Sequence, residues 1–304
     1  MKAPFPWFGG KSKVAHLVWD RFGNVPNYVE PFAGSLAVLL NRPHAPSVET
    51  VNDLDCYLAN FWRAIRLNPS STAVWADWPV NEADLLARHR WLVDRAEFRD
   101  RIRSDPDYFD ARIAGWWVWG LCSWIGSGWC VQKERMPEQL PHLGNAGMGI
   151  NRKLPHLGDA GRAEAILAYF EELAGRLRNV RVACGEWDRV LGDSVTSKHG
   201  TTGVFLDPPY STEEHAVAYS ANSDVSGAVR EWAIANGGNK DLRIALCGYD
   251  GEHKMPDSWE CVAWKTAGGY GSQSDGKGRT NANRERIWFS PACIRPQATL
   301  WGAE

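Results

Sequence analysis

The segment FLDPPY, residues 205–210, places an acid and two prolines directly after an apolar run. Ligands of open α/β sheets bind beyond the carboxyl ends of the strands, so Asp207 is expected to face a cleft. Pro208 and Pro209 lack a backbone N–H and have a fixed φ, so Asp207 and the Pro208 carbonyl can present two acceptors in fixed positions. Tyr210 adds a flat face for stacking. Together these groups suit an exocyclic NH2 group on an aromatic ring.

Two further segments end candidate strands with an acid. In YVEPFAGS, residues 28–35, the strand ends at Glu30 and the chain passes through Gly34 into a helix. A small-residue turn of this kind lets the backbone approach a nucleoside-like ligand closely. In VND, residues 51–53, the next strand ends with Asp53, where an acid can accept both hydroxyls of a ribose. The pair of segments is typical of a nucleoside site.

A third segment, WFGGK at 7–11, supplies an aromatic residue, a Gly-Gly turn and Lys11 before a helix. Each segment is a weak signal by itself, and an ordinary loop after a strand is the alternative for any one of them. Taken in this order, they resemble the N6-adenine DNA methyltransferases of the Dam type. In that family GGK, EPF-x-G and ND elements precede an inserted target-recognition domain, and DPPY follows it. The resemblance covers residues 1–66 and 176–304.

The resemblance implies S-adenosyl-L-methionine as cofactor and double-stranded DNA as partner, with methylation of a flipped adenine at N6 within a specific short sequence. It implies that catalysis uses Asp207, Pro208, Pro209 and Tyr210. The cofactor contacts that it carries over are Trp7, Gly9, Gly10, Lys11, Glu30, Pro31, Phe32, Gly34, Asp53, Trp187, Asp188 and Asp207. The family's F-x-G-x-G turn has a second glycine where this chain has Leu36. This departure bears on how closely the backbone approaches the cofactor.

Alternative activities remain open at this point. The same pair of acceptors suits N4 of cytosine or an amino group in RNA, and the size of the base pocket would decide between them. A different class of protein, a non-catalytic DNA-binding protein that keeps the fold, would not need the chemistry-bearing side chains. The presence of Lys11, Asp53, Asp207 and Tyr210 argues against that class.

Apolar strands alternate with amphipathic helices at both ends of the chain. This alternation predicts an α/β fold, and with the resemblance it predicts a Rossmann-like methyltransferase sheet of about seven strands with a terminal antiparallel hairpin. The predicted strands are 27–30, 47–53, 180–185, 203–207, 242–248, 261–265 and 286–290. The predicted helices are 11–22, 35–41, 55–67, 162–178 and 224–236.

The middle of the chain lacks convincing strands. We therefore predict an inserted, mainly helical target-recognition domain over 67–175, between the two parts of a catalytic domain at 1–66 and 176–304. Its segment 88–105 interleaves acids with arginines, which is typical of a solvated helix. The uncharged, Trp-rich segment 113–131 is about long enough to cross a bilayer, but its tryptophans and glycines favour a buried helix followed by a loop.

The net charge of −2 excludes a protein that binds nucleic acid through its overall charge. DNA contacts must therefore come from local basic patches. The residues predicted to make them are Lys133, Arg135, Arg152, Lys153, Lys277, Arg279 and Arg284. Seven scattered cysteines without a CxxC pair favour neither a disulfide framework nor a zinc site. We expect a cytoplasmic protein of a bacterial or phage-infected cell, monomeric or weakly dimeric, without a signal peptide.

Overall fold

A computed structural model describes residues 1–7, 9–124, 129–130, 165–210, 225–264 and 284–295. Within these residues seven strands form one sheet: β1 (Asn27–Glu30), β2 (Val48–Asp53), β3 (Val180–Cys184), β4 (Thr202–Leu206), β5 (Leu242–Tyr249), β6 (Glu260–Ala263) and β7 (Glu285–Phe289). Their order across the sheet is β3-β2-β1-β4-β5-β7-β6. β1 to β5 are parallel, and β7 lies antiparallel between β5 and β6. The predicted α/β sheet with its terminal antiparallel hairpin is confirmed.

Burial along the strands follows their place in the sheet. The central strands β1 and β4 are buried at every position, as expected for parallel strands with helices on both faces. The edge strand β6 alternates between half-buried and exposed residues. Because β1 to β5 share one direction, their last residues meet at a single edge. Glu30, Asp53 and Tyr249 end their strands there, and Asp207 follows the end of β4.

The helices of the described residues are α1 (Ala15–Phe22), α2 (Ala37–Leu40), α3 (Cys56–Leu67), α4 (Pro69–Ala76), α5 (Glu82–Val93), α6 (Ala96–Ser104), α7 (Ala111–Ser123), α8 (Ile166–Leu177) and α9 (Val225–Asn236). Side-chain caps start several of them. The Asp55 carboxylate, for example, accepts from the backbone N–H of Tyr57 at 2.8 Å at the start of α3. This cap fixes where the chain turns into α3 directly after the end of β2.

The Trp-rich segment forms a buried helix. α7 is 13 residues long, and Trp117 and Trp119 within it are 2% and 0% exposed. These side chains belong to one continuous core with sheet residues such as Tyr28 and Val51. The prediction of a core helix is confirmed. In the described part of the chain, no helix is long and apolar enough to cross a membrane.

The prediction of a solvated helix over 88–105 is right for the exposed residues of its second half, where Arg101 pairs with Asp105 at 4.0 Å, but wrong in expecting one helix and an exposed first half. The structure has two helices there, α5 and α6, separated at residues 94–95. Arg88 is 6% exposed, and its guanidinium lies over the rings of Trp119 at 4.3 Å and Trp116 at 4.8 Å. Aromatic faces replace part of the water around this cation, and burial lowers the pKa of Arg88 to about 10. Alternating charge in the sequence did not reveal those aromatic partners.

Candidate active site

Asp207 lies at the carboxyl edge of the sheet, where β4 ends between β1 and β5. Its carboxylate Oδ1 is 2.8 Å from the Nζ of Lys11, and the two side chains are 22% and 4% exposed. The acid therefore opens to solvent while its partner is buried. The Lys11 ammonium also donates to the carbonyl of Gly9 at 2.8 Å. The two motifs GGK and DPPY, which are far apart in the sequence, meet in this ion pair.

The charge state of Lys11 follows from its neighbours. Burial by itself would lower the pKa of an ammonium group. The Asp207 carboxylate, with a further contribution from Glu285, outweighs burial and raises the pKa of Lys11 above its ordinary value. The lysine consequently stays protonated and holds a positive charge beside Asp207.

Tyr210 places its hydroxyl between two carboxylates. The hydroxyl is 2.8 Å from Oε2 of Glu285 and 3.3 Å from Oδ1 of Asp207. The Tyr210 ring packs edge-to-face on Tyr249, with centroids 4.5 Å apart, and Lys11 Nζ lies 5.3 Å from its centroid. Burial raises the pKa of the Tyr210 phenol well above its ordinary value, so the hydroxyl keeps its proton.

Glu285 is a site residue that the sequence reasoning missed. It is 5% exposed and begins β7, opposite Tyr249 at the end of β5. Burial raises the pKa of its carboxyl, although Lys11 and the Tyr210 hydroxyl act to lower it. One signal could have identified it. Because β7 runs antiparallel to β5, its first residue, rather than its last, reaches the carboxyl edge of the sheet.

The EPFAG loop after β1 is held by two tryptophans. Gly34 has a positive φ of +45°, and a Cβ at this position would lie 2.7 Å from Nε1 of Trp7. The Nε1 of Trp62 donates to the Gly34 carbonyl at 3.1 Å. Glycine is required here both by the left-handed backbone and by the close approach of the Trp7 ring. Trp7 and Gly34, predicted separately, are therefore in contact.

Asp53, the last residue of β2, connects this loop to the strand by a hydrogen bond. Its Oδ2 accepts from the backbone N–H of Gly34 at 3.0 Å, and its Oδ1 accepts from that of Asp55 at 2.9 Å. Burial raises the pKa of Asp53 to about 6, and the backbone donors only partly offset it. Each carboxylate oxygen has a second lone pair, so the side chain can also accept from a ligand.

Glu30 differs from Asp53 in its access to solvent. Its carboxyl is 2% exposed and accepts from the Tyr28 hydroxyl at 3.0 Å. Burial raises its pKa well above the ordinary range, and nearby acids reinforce the shift. Burial thus disfavours the charged form of this carboxyl, which lies at the base of the loop.

Leu36 takes the backbone conformation that a glycine would favour. Its φ and ψ are +55° and +27°, in the left-handed region, and its side chain is 0% exposed. The loop thus keeps a left-handed turn at the position of the family's second glycine. The leucine side chain packs into the core behind the loop rather than into the cleft.

Phe32 and Trp187 come together on the other side of the loop. Their rings lie nearly parallel, with an interplanar angle of 20° and centroids 6.3 Å apart. Trp187 begins a 3₁₀ turn after β3, with the exposed Asp188 next to it. Asn52 connects the two segments, since its amide donates to the carbonyls of Pro31 at 3.1 Å and Gly185 at 2.9 Å. The motif asparagine therefore holds the loops after β1 and β3 together.

Of the residues predicted to contact DNA, Arg284 alone lies in the described part of the chain. Arg284 is exposed, and its guanidinium lies 5.2 Å from the centroid of the Tyr249 ring beside the Asp207 cluster. The other predicted DNA contacts lie outside the described residues: Lys133, Arg135, Arg152, Lys153, Lys277 and Arg279. Among the remaining predicted residues, Gly10 donates its N–H to the Trp7 carbonyl at 3.3 Å, and Pro208 is buried while Pro209 is half-buried.

Comparison with known proteins finds one similarity. Residues 7–104 match the model of the D12 class N6 adenine-specific DNA methyltransferase family. This part of the chain is therefore similar to a family of methyltransferase enzymes. It includes the GGK, EPFAG and ND segments and ends before DPPY. No curated protein matches the chain. The family acts on adenine in DNA, and methyltransferases generally take their methyl group from S-adenosylmethionine.

Proposed function

We propose that this protein is a methyltransferase that transfers a methyl group from S-adenosylmethionine to N6 of an adenine flipped out of duplex DNA, at a specific short sequence. The observation that carries the proposal is the Asp207–Lys11 pair, which holds a partly exposed acid at the carboxyl edge of β4. Tyr210 lies beside this acid. The arrangement supplies a charged acceptor and an aromatic ring at one place.

The residues after β1, β2 and β3 suit the cofactor. Asp53 offers carboxylate oxygens for ribose hydroxyls, and the parallel rings of Phe32 and Trp187 offer flat apolar surfaces for an adenine ring. The side chain of Leu36 is buried in the core and therefore does not occupy the cleft. When bound, the cofactor supplies a methyl group activated by a positively charged sulfur.

The chain's own residues would act on the amino group of the base. The N6 lone pair is delocalised into the ring, and in the duplex the base is also paired and stacked. Asp207 and the Pro208 carbonyl would accept both amino hydrogens and so favour a pyramidal, partly positive nitrogen. Oδ1 of Asp207 already contacts Lys11 and Tyr210, so we assign Oδ2 to the amino group. The nitrogen lone pair would form the bond to the methyl carbon as the sulfur–methyl bond of the donor breaks and its electron pair stays on sulfur, and the surplus N6 proton would leave through Asp207 to water.

We also propose which parts of the chain carry out catalysis and which recognise DNA. Residues 1–66 and 176–304 would form the catalytic domain, and residues 67–175 would read the target sequence. Lys133, Arg135, Arg152, Lys153, Lys277, Arg279 and Arg284 would contact DNA phosphates. Neutralising Lys277, Arg279 and Arg284 together should reduce the slope of log affinity against log salt concentration by about 3. A slope that stays the same would remove these three side chains from the interface.

The direct test identifies the product. Plasmid DNA is incubated with the protein and S-adenosylmethionine carrying a deuterated methyl group, then digested to nucleosides for mass spectrometry. The expected product is labelled N6-methyladenosine in its deoxy form, at one class of short site. Labelled N4-methylcytosine would indicate the cytosine activity instead, and label that appears only when RNA replaces the plasmid in a parallel incubation would indicate an RNA substrate. Absence of both label and cofactor binding would favour the non-catalytic alternative.

A further inference from the structure

The hydroxyl of Tyr210 has one proton and two carboxylates within reach. Glu285 Oε2 is the nearer acceptor at 2.8 Å, and Asp207 Oδ1 is the farther one at 3.3 Å. A phenol donates one hydrogen bond at a time, so the two acids compete for it. The shorter distance indicates that the proton points mainly to Glu285.

This competition matters because Asp207 already accepts one strong hydrogen bond. Its Oδ1 accepts from the Lys11 ammonium at 2.8 Å. A strong hydrogen bond from Tyr210 would withdraw more negative charge from the same carboxylate. It would also turn the Tyr210 ring toward Asp207, where the amino group of a base has to bind. Because Glu285 accepts the hydrogen bond from the phenol, the ring is not drawn closer to Asp207. The Asp207 carboxylate then stays available for the amino group.

Glu285 is well placed to do this because its own position is fixed. It is paired in register with Tyr249 across the β5–β7 ladder, and its carbonyl accepts from the backbone N–H of Trp264 at 3.2 Å. Tyr249 in turn packs against the Tyr210 ring at 4.5 Å. Glu285, the Tyr210 ring and the Tyr249 ring are therefore held in place together by the sheet.

We propose that Glu285 is a positioning residue of the methyltransferase site, which holds the Tyr210 hydroxyl so that the ring is fixed for the base and Asp207 stays free to accept from its amino group. This inference rests on the proposed function and adds to it a residue from the C-terminal hairpin. Glu285 acts through Tyr210 and is not itself required to touch the base.

The test uses the full-length protein and a duplex containing the site that the wild-type protein methylates. Single-turnover rates and DNA affinity are measured for Glu285→Ala, Glu285→Gln, Tyr210→Phe and the double variant Glu285→Ala/Tyr210→Phe. We expect Glu285→Ala to slow methyl transfer by roughly 10- to 100-fold with little change in cofactor affinity. Glu285→Gln keeps an acceptor for the phenol and should stay within about fivefold of the wild-type rate.

The double variant gives the decisive comparison. Tyr210→Phe alone should slow transfer by about threefold, because the ring stays and only its anchor is lost. Without the hydroxyl the phenol no longer competes for Asp207, so the double variant should return to about the rate of Tyr210→Phe, which is at least about threefold faster than Glu285→Ala. A purely structural role for Glu285 would not produce this rescue. Glu260→Ala removes another carboxylate of the same hairpin, one paired with Arg21 at 2.8 Å, and should leave the rate unchanged.

Two outcomes would overturn the inference: a Glu285→Ala rate equal to that of the wild type, or a double variant as slow as the product of the single effects predicts. These two outcomes are informative only if the wild-type protein methylates DNA. Failure of the proposed function would instead appear as the absence of methylated nucleoside with every variant, wild type included.

Discussion

The carboxyl edge of the sheet holds its acids in two different ways. At the β4–β5–β7 end, Asp207 is paired with the buried Lys11 ammonium at 2.8 Å. At the β1–β2 end, no lysine or arginine pairs with Glu30 or Asp53 among the described residues. Glu30 accepts from the Tyr28 hydroxyl, and Asp53 accepts from two backbone N–H groups. Burial accordingly raises the pKa of both of these acids.

The difference separates an acid held by a cation from acids held by neutral hydrogen-bond donors. The ion pair with Lys11 fixes the position of the Asp207 carboxylate, which under the proposed function accepts from the amino group of the base. Neutral hydrogen-bond donors hold the other two acids, and of these the half-buried Asp53 has the access that contacts to hydroxyls of a bound nucleoside would need. The proposed function therefore assigns the amino group of the base to the Asp207 end of this edge and the cofactor to the Asp53 end. The predictions below test this contrast.

Removal of Asp207 should have the largest effect. We expect Asp207→Ala to lower methyl transfer by about 1000-fold or more, because the acceptor for the amino group is lost, while DNA affinity changes little. The measurement is single-turnover transfer together with DNA binding by anisotropy. Asp257→Ala, at an exposed acid of the same chain, is the control and should behave as wild type. Undiminished turnover in Asp207→Ala would remove this acid from the mechanism.

Truncation of Tyr210 should come next. Tyr210→Ala removes the stacking face and should weaken stabilisation of the flipped base by roughly 1 to 3 kcal/mol. This loss is measured from kcat/KM on DNA and from the fluorescence of 2-aminopurine placed at the target base. Tyr210→Phe keeps the ring and separates stacking from the hydroxyl. If Tyr210→Phe and Tyr210→Ala lost equal amounts, stacking would not be the role of this ring.

These residues also show what the sequence could predict. Strands buried on both faces leave apolar runs, and the motif acids follow those runs directly, so Asp207 and Asp53 were found at the correct edge. Glu285 hydrogen-bonds to Tyr210 from 75 residues away, through a hairpin that reverses direction, and no local pattern records that contact. The prediction for Arg88 failed for a related reason, since its aromatic partners Trp116 and Trp119 come from another helix, α7. Local periodicity identified the elements, whereas contacts between distant elements required the structure.

Acid should weaken cofactor binding at the Asp53 end of the site. Burial raises the pKa of Asp53 to about 6, and an ionised carboxylate accepts from hydroxyls more strongly than a protonated one. Cofactor affinity should therefore fall as the pH drops through 6, by up to about tenfold per pH unit. Isothermal titration of cofactor between pH 5 and 8 would show this fall. Asp53→Asn should bind more weakly at pH 8 and lose the dependence, and an Asn variant with the wild-type pH profile would contradict the assignment.

The same protonation of Asp53 should have the opposite effect on folding, because it favours the folded state while it weakens cofactor binding. A folded pKa above the unfolded value of 3.8 means that the native state binds the proton more tightly. The contribution of Asp53 to stability is then most favourable below pH 4 and is lost as the pH rises through 6. Because Asp53 is only half-buried, we expect about 1 kcal/mol between these limits, less than full burial would give. Urea unfolding of wild type and Asp53→Asn at pH 4.5 and 8 measures this difference.

The smallest predicted effect concerns the loop that joins the two ends of the comparison. Leu36 is left-handed, a conformation that costs a non-glycine residue roughly 1 to 2 kcal/mol, yet its side chain is fully buried. Leu36→Ala and Leu36→Gly should both destabilise the protein through lost packing, but glycine removes the strain, so Leu36→Gly should be about 1 kcal/mol more stable than Leu36→Ala. At the neighbouring helical residue Leu39, also buried, alanine should be the more stable replacement. Urea unfolding of the four variants would reveal this reversal, and the same order at both positions would mean that Leu36 does not need the left-handed backbone.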